Sequence, residues 1–443
     1  MKLAFLKKYQ SAKTLKEILT LLTWQEIEFL AFIPIFLTLI TPLLYLLINF
    51  FTMWMYSFII LDVTLIATVL ALVVYLLCLG KISVESKKRK LHEYLPILFL
   101  GTLAALIFLS DSVNGWSEYA LHGVIWREET SSSFMRYILV FFFCGTVIRT
   151  SELKKILFRA FLFSGMLIGI ATLLHHYAFT IEPLIHYPDY YINAVFLNPN
   201  HYGYYLTMLI MASAGLAVWE KKRGWTLFYW ISFLLNTFML AINLTFGSFL
   251  ACLFALIFQI IMLFIMQKQI NKKAVLLWVG YIAVNLTAAF FFDTVLSDFY
   301  LLFRDIQNIA EKNEDASKAG SGRWRLWKYT IQKIQEKPLL GSGTEGIADF
   351  LTESAKNTRT HNEYLQYMAF YGIPAGICYI AGILSLFLRA LKRKSCLDGY
   401  TTAALVTVFG YCVSAFFGNT MFYTAPLFFC ILGLTYRIPE QKV

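Results

Sequence analysis

The sequence lacks the motifs on which many soluble enzyme classes depend. It contains no P-loop, no G-x-S-x-G element, no H-E-x-x-H pair and no D-x-D-type acidic pair. The sequence therefore lacks the usual motifs of enzymes that hydrolyse ATP and of zinc-dependent hydrolases. No C-x-x-C spacing occurs, and six of the seven cysteines fall in hydrophobic stretches. Neither a disulfide framework nor a cysteine-bound metal is predicted.

Charged residues are also scarce. They make up 15% of the 443 residues, whereas hydrophobic residues make up 58%. A soluble fold cannot bury that much apolar surface, and several runs reach the roughly 18–20 apolar residues that cross a bilayer. The net charge of +11 comes from short basic clusters between these runs, so nucleic acid is not expected as a partner. The composition predicts an all-α integral membrane protein.

The hydrophobic runs predict about twelve membrane spans, each near the length that a bilayer requires. They cover residues 29–50, 56–80, 94–111, 134–148, 157–177, 203–219, 226–243, 247–266, 274–292, 364–388, 401–418 and 421–436.

Basic clusters predict how these spans are oriented. Each of the five follows an even-numbered span: Lys81–Lys90, Arg149–Arg159, Lys221–Arg223, Lys268–Lys273 and Arg389–Lys394. Since basic residues accumulate on the cytoplasmic side, all five clusters and both termini are predicted to be cytoplasmic. The long polar segment 293–363 then lies on the outer side of the membrane.

The same pattern predicts the domain organisation. Residues 1–28 lack the features of a cleaved signal peptide, and we expect a retained cytoplasmic segment. Residues 29–443 form one polytopic membrane domain that includes the outer loop 293–363. No internal repeat is visible, and polar residues concentrate in this loop rather than within the spans. A transporter or flippase, which would line a cavity within its spans, is therefore the weaker alternative.

An amphipathic helix is predicted inside the long loop. Trp324, Trp327, Ile331 and Ile334 recur at helical spacing, and Pro338 ends the pattern. At about 100° per residue, the position before Trp324 lies near the edge of this apolar stripe.

Two arginines of this helix are distinguished by that projection. Arg323 should face the protein, where its guanidinium could bind an anion, and Arg325 should face water. The alternative for Arg323 is a residue at a helix end whose stem lies over the membrane surface.

His361 follows a polar run and immediately precedes the tenth predicted span. A neutral imidazole at that place could accept a proton from a hydroxyl group. Asn362 and Glu363 are close enough in sequence to orient it. The alternative is a histidine that merely lies at the membrane interface.

A second polar element, Asn198-Pro199-Asn200, precedes the sixth predicted span. By default such a sequence forms a turn and starts a helix.

An ordered set of motifs resembles a known family. Ser321-Gly322-Arg323 is followed by Pro338-Leu339-Leu340-Gly341-Ser342-Gly343, then by His361-Asn362 and Gly372-Ile373-Pro374. This set is similar to the signature of the O-antigen ligase and Wzy-type polysaccharide polymerase superfamily. Asn198-Pro199-Asn200 resembles the upstream element of that family.

The resemblance implies a bacterial multi-span glycosyltransferase that works without metal or cofactor on the outer face of the cytoplasmic membrane. Its substrate would be an oligosaccharide on undecaprenyl diphosphate. Membrane lipids, a chain-length regulator and a flippase would be its further partners. In the family, the arginine matching Arg323 helps to hold the diphosphate, and the histidine matching His361 is the proposed base.

Two activities fit the resemblance. A polymerase would join lipid-linked repeat units into capsule, exopolysaccharide or O-antigen. A ligase would move finished glycan from the lipid carrier onto another acceptor.

One position departs from the family pattern. The family often has a Thr-x-Ser-Arg element at the start of the eighth span, and Ser248 stands here where the arginine would be. Ser248 is kept as a candidate substrate-binding position. Arg304, Arg325 and Arg359 are the candidate cations that could supply the missing charge.

Overall fold

The computed structural model describes residues 14, 17, 21–52, 56–86, 91–123, 129–181, 184, 192–196, 198–292, 294, 296, 298–311 and 317–438. These residues form helices and contain no strand, which confirms the predicted all-α class.

The helices of the first half are α1 (Trp24–Thr52), α2 (Tyr56–Ser86), α3 (Leu95–Asn114), α4 (Glu118–His122), α5 (Ser131–Val147), α6 (Ser151–Tyr177), α7 (Pro199–Trp219) and α8 (Arg223–Asn243). Those of the second half are α9 (Phe246–Gln267), α10 (Lys272–Ala288), α11 (Asp298–Glu311), α12 (Arg323–Glu336), α13 (Gly343–Ala355), α14 (Glu363–Tyr371), α15 (Ile373–Lys392), α16 (Gly399–Ser414) and α17 (Ala425–Leu434).

Nine helices in the described part of the chain are long and apolar enough to cross a membrane, namely α1, α2, α3, α6, α7, α8, α9, α15 and α16. Three other predicted spans coincide with the shorter helices α5, α10 and α17. Helix α1 begins at Trp24, five residues before its predicted start. Most of the predicted N-terminal segment 1–28 lies outside the described residues. The chain is a multi-span membrane protein.

Helix α7 lies at the centre of the bundle. It contacts α6, α8, α9 and α16, and its side chains from His201 to Val218 are buried. A helix that is apolar on all sides has to be surrounded by other helices. Close approach to α16 depends on a small residue, because a Cβ atom on Gly215 would lie 2.6 Å from the Cα of Ala403. The contact at Gly215 therefore fixes how closely α16 packs on the C-terminal part of α7.

One end of the bundle, called here the basic end, brings the predicted cytoplasmic segments together. The polar contacts that join them are Arg159 with Glu220 at 3.1 Å, Arg393 with Glu93 at 2.9 Å, and the Nζ of Lys154 with the carbonyl oxygen of Arg437 at 2.8 Å. Basic clusters that are far apart in sequence thus lie on one side of the protein.

The opposite end, called here the loop end, carries α12 and α13, which pack on α14. The Ser110 hydroxyl in the last turn of α3 donates to the carbonyl oxygen of Leu340 at 2.6 Å. The Thr245 hydroxyl before α9 donates to the carbonyl oxygen of Pro199 at 3.1 Å. Segments that the sequence assigns to the outer side therefore meet at this end. That the loop end faces away from the cytoplasm remains a prediction.

Candidate active site at the loop end

Helix α12 buries a different face from the predicted one. Leu326, Thr330 and Ile334 are buried, whereas Ile331 of the predicted apolar stripe is 45% exposed. At about 100° per residue, the buried face is rotated by roughly 80° from the stripe of tryptophans and isoleucines. The stripe prediction was wrong because α12 packs on α13 and α14 through small and aliphatic side chains, while part of its aromatic surface stays outside.

The rotation places Arg323 in the middle of the buried face. Its guanidinium Nη1 donates to the carbonyl oxygen of Gly320 at 3.2 Å. Its Nε is buried and has no hydrogen-bond partner among the residues that the structure describes. Arg325, two residues on, is exposed. A buried cation with an unused N–H is suited to bind an anionic group.

His361 is held by its backbone in an uncommon conformation. Its φ of +49° is left-handed, which is strained for a residue with a side chain. The His361 N–H donates to Oδ1 of Asn419 at 2.8 Å, and its carbonyl oxygen accepts from the indole Nε1 of Trp327 at 3.3 Å. Trp327 lies one turn after Arg323 on the same side of α12. These contacts fix the imidazole beside the arginine.

The imidazole of His361 is neutral at neutral pH. Burial, together with the positive charges of Arg323 and Arg359, lowers the pKa of His361 to about 4. A neutral imidazole has one nitrogen lone pair that can accept a proton or a hydrogen bond, and Nε2 of His361 lies 3.5 Å from Nδ2 of Asn357.

Arg359 is the substitute cation that lies near His361. Its Nε is 2.8 Å from Oε1 of Glu129, a carboxylate that is 5% exposed. The other two candidates are directed elsewhere. Arg325 is exposed on the far side of α12, and Arg304 is exposed on α11, 3.7 Å from Asp305.

Asn362 and Glu363, which were expected to orient His361, direct their side chains to other groups. Asn362 caps α14, because its Oδ1 accepts from the Leu365 N–H at 3.0 Å. Glu363 is fully buried and accepts hydrogen bonds from the hydroxyls of Tyr379 and Tyr411. Both side chains thus have partners within the protein.

The asparagines before α7 also have local partners. Oδ1 of Asn198 accepts from the backbone N–H of Asn200 at 2.8 Å and from its side-chain amide at 3.0 Å. Asn198 is therefore the N-cap of α7. Ser248 is 1% exposed and packs against α7, since a Cβ atom on Gly203 would lie 2.7 Å from its Oγ.

Two of the glycine motifs are packed against each other. The Ser342 N–H donates to the carbonyl oxygen of Ala369 at 3.0 Å, and the Ile373 N–H donates to that of Pro338 at 2.8 Å. Gly341 and Gly372 both have positive φ, and a Cβ on Gly372 would lie 2.1 Å from the Leu339 carbonyl oxygen. The loop before α13 and the break between α14 and α15 therefore form one unit. This unit fixes the position of α14, the helix that follows His361.

Sequence reasoning missed His201 and Asn419. His201 is 8% exposed and lies near His361 and Arg359, close enough for the positive charge of Arg359 to act on it. It directly follows the Asn198-Pro199-Asn200 element, so its position next to that motif could have identified it as a candidate. Asn419 follows the eleventh predicted span, and nothing local in the sequence distinguishes it.

No metal site is formed by the described residues. They contain no group of three or more His, Cys, Asp or Glu side chains placed to hold a metal ion. The arrangement instead offers two guanidinium groups and neutral imidazoles, which can bind anionic oxygens and exchange protons.

Comparison with known proteins supports the resemblance on a defined segment. Residues 231–380 match the O-antigen ligase family, and this range contains Ser248, Arg323, Arg359 and His361. The chain is also 26% identical over 145 residues to an uncharacterized protein of Haemophilus influenzae. That match covers 30% of the chain and 36% of the relative, so it spans about a third of each protein. The matched segment thus supports the resemblance of the chain to the O-antigen ligase and Wzy-type polymerase superfamily.

Proposed function

We propose that the protein is a polysaccharide polymerase that joins lipid-linked oligosaccharide repeat units at the loop end, on the outer face of the bacterial cytoplasmic membrane. The observation that carries the proposal is the meeting of Arg323 of α12 with Arg359 and the neutral His361, which precede α14. The donor would be an oligosaccharide on undecaprenyl diphosphate, and a second lipid-linked repeat would be the acceptor.

The arginines would bind the diphosphate. Arg323 has an unused buried N–H, and its planar cation suits phosphate oxygens. When the bond between the anomeric carbon and the phosphate oxygen breaks, the diphosphate leaves with both bonding electrons. A fixed cation that stabilises this developing charge lowers the barrier without metal.

His361 would accept the proton of the acceptor hydroxyl. As the hydroxyl oxygen forms its bond to the anomeric carbon of the donor, its proton passes to the free lone pair of the imidazole. Burial and the neighbouring arginines keep this imidazole neutral before the reaction. Its backbone contacts to Asn419 and Trp327 would hold it in one position.

An apolar cavity that extends from Tyr364, near the site, to Lys394, at the basic end, would take the polyprenyl chain. It has a volume of about 410 Å³ and is lined by side chains of α9, α15 and α16, including Phe258, Phe387 and Phe409. Tyr364, three residues after His361, also lines it, and its hydroxyl donates to the Cys412 carbonyl oxygen at 2.6 Å. A lipid chain lying here would leave its diphosphate near the arginines.

The second candidate function is a ligase that transfers finished glycan from the lipid carrier to another acceptor. The matched family model, which describes O-antigen ligases, favours it. Both activities use the same donor chemistry, so they differ in the acceptor. The departure at Ser248 leads us to prefer the polymerase.

Purified protein incubated with synthetic lipid-linked repeats distinguishes the two. A polymerase produces a ladder of products with two or more repeats, and His361→Ala removes the ladder, because general-base catalysis contributes about 10²–10⁴-fold. His176→Ala, an exposed histidine in the last turn of α6, is the control and should keep the ladder. Unchanged single repeats, with preformed polymer moved to a separate acceptor, would instead identify a ligase.

A further inference from the structure

His201 contributes an unused polar atom to the candidate site. It is the third residue of α7, and its side chain is 8% exposed. The ring lies against Tyr423, with ring centroids 5.5 Å apart. Its Nδ1 is buried and has no hydrogen-bond partner among the described residues. A buried polar atom in that state costs free energy unless a ligand or water supplies a partner.

The surroundings of His201 favour an anionic ligand. The positive charge of Arg359 acts on it directly, and that of Arg323 acts on the neighbouring His361. Two carboxylates of this region already have partners within the protein. Glu129 pairs with Arg359, and Glu363 accepts from two tyrosine hydroxyls. The site therefore has excess positive charge together with two unused buried nitrogen atoms, Nε of Arg323 and Nδ1 of His201.

The position of Ser248 connects His201 to the departure from the family pattern. Ser248 stands where the family arginine would be, and it is 1% exposed. It packs on Gly203, two residues after His201 in the same helix. An arginine at this position would need space that the first turns of α7 occupy. The turn of α7 that carries His201 thus lies next to Ser248, the position at which the family has its arginine.

We propose that His201 is a diphosphate-binding residue of this protein and takes the place of the family arginine that Ser248 replaces. In the tautomer that carries its proton on Nδ1, the imidazole donates a hydrogen bond to a phosphate oxygen of the lipid donor. The same phosphate group also accepts from Nε–H of Arg323. This inference rests on the proposed function, because it assumes a diphosphate-linked donor.

Two substitutions separate the hydrogen bond of His201 from its packing. His201→Asn keeps an N–H donor near the position of Nδ1 but removes the ring. His201→Phe keeps a ring of similar shape but removes the donor. The readout is the affinity of the purified protein for farnesyl diphosphate, with inorganic pyrophosphate as the competitor. His176→Ala is the control. Thermal unfolding in detergent checks that each variant is folded.

We expect His201→Phe to weaken farnesyl diphosphate binding by at least about tenfold, as the loss of a hydrogen bond to a charged group does. His201→Asn should stay close to the wild type, and inorganic pyrophosphate should compete, because the phosphates are the recognised group. Equal affinity of the Phe variant and the wild type overturns the proposal. So does an Asn variant as weak as the Phe variant, since packing would then explain both.

Farnesyl diphosphate binding requires no sugar transfer, so this test is separate from that of the proposed function. A protein that makes no polymer but binds farnesyl diphosphate through His201 would refute the polymerase and keep this inference. A wild-type protein without affinity for farnesyl diphosphate would refute the role of His201 along with diphosphate recognition.

Discussion

At the scale of single residues, the two arginines of α12 make a matched pair. Arg323 is on the buried face with an unused N–H, and Arg325 is exposed two residues away. Arg323→Lys should lower polymerisation strongly, because an ammonium group cannot reproduce the planar contact with phosphate oxygens. Arg325→Lys should have little effect. Both variants are assayed on lipid-linked repeats at equal protein level, and equal tolerance of the two changes would contradict the role of Arg323.

The protonation of His361 predicts how the rate of polymerisation depends on pH. Burial and two arginines lower the pKa of His361 to about 4, so protonation removes the base only in strong acid. The kcat/KM of polymerisation should stay level from neutral pH down to about pH 5 and fall towards pH 4, rather than fall near the pKa of about 6.5 of an unperturbed histidine.

Arg359→Gln tests the cause of this shift. Without that positive charge the pKa of His361 rises, so the acid limb of the profile should move to higher pH. A wild-type profile that already falls near pH 6.5 would show that the arginines do not control the imidazole.

At the scale of elements, the break between α14 and α15 is the point most sensitive to a small change. Gly372 has φ +93°, and a Cβ there would lie 2.1 Å from the Leu339 carbonyl oxygen. Gly372→Ala should therefore lower the melting temperature and the amount of folded protein, through about 1–3 kcal/mol of backbone strain in addition to the clash.

Gly346→Ala is the matched control for this change. Gly346 lies inside α13, where a Cβ would have Ser342 Cβ as its nearest neighbour at an ordinary 3.5 Å. An alanine in a helix interior is neutral or stabilising by about 0.5–1 kcal/mol relative to glycine. A similar loss in both variants, measured by thermal unfolding in detergent, would contradict the close packing of the two glycine motifs.

At the scale of the whole molecule, the distribution of charge predicts which end faces outward. Ser317 lies exposed before α12 at the loop end, and Ser395 lies exposed between α15 and α16, in the predicted cytoplasmic cluster. In a cysteine-free background, Ser317→Cys should react with an impermeant maleimide in intact cells, and Ser395→Cys should react only after lysis. The reverse pattern would invert the topology.

The class of protein and the order of its helices were predictable from local sequence. Apolar runs of bilayer length and basic clusters between them depend only on neighbouring residues. Helices overlap the predicted spans, but the tenth predicted span, 364–388, is divided at Gly372 into α14 and α15. The motif order was also sufficient to name Arg323 and His361. Local periodicity failed for α12, where the tryptophans and Ile331 suggested the wrong buried face, because partner helices rather than hydropathy decide which side is covered.

The arrangement of the candidate site depends on contacts between residues that are far apart in the sequence. The Ser110 hydroxyl reaches Leu340 across 230 residues, and Trp327 and Asn419 hold His361 from separate segments. The meeting of His201 with Arg359 and His361 follows from the packing of α7 at the centre of the bundle. Hydrophobic runs and charge clusters are properties of neighbours in the chain, whereas burial, an unused hydrogen-bond donor and a shifted pKa are produced by groups that only packing brings together.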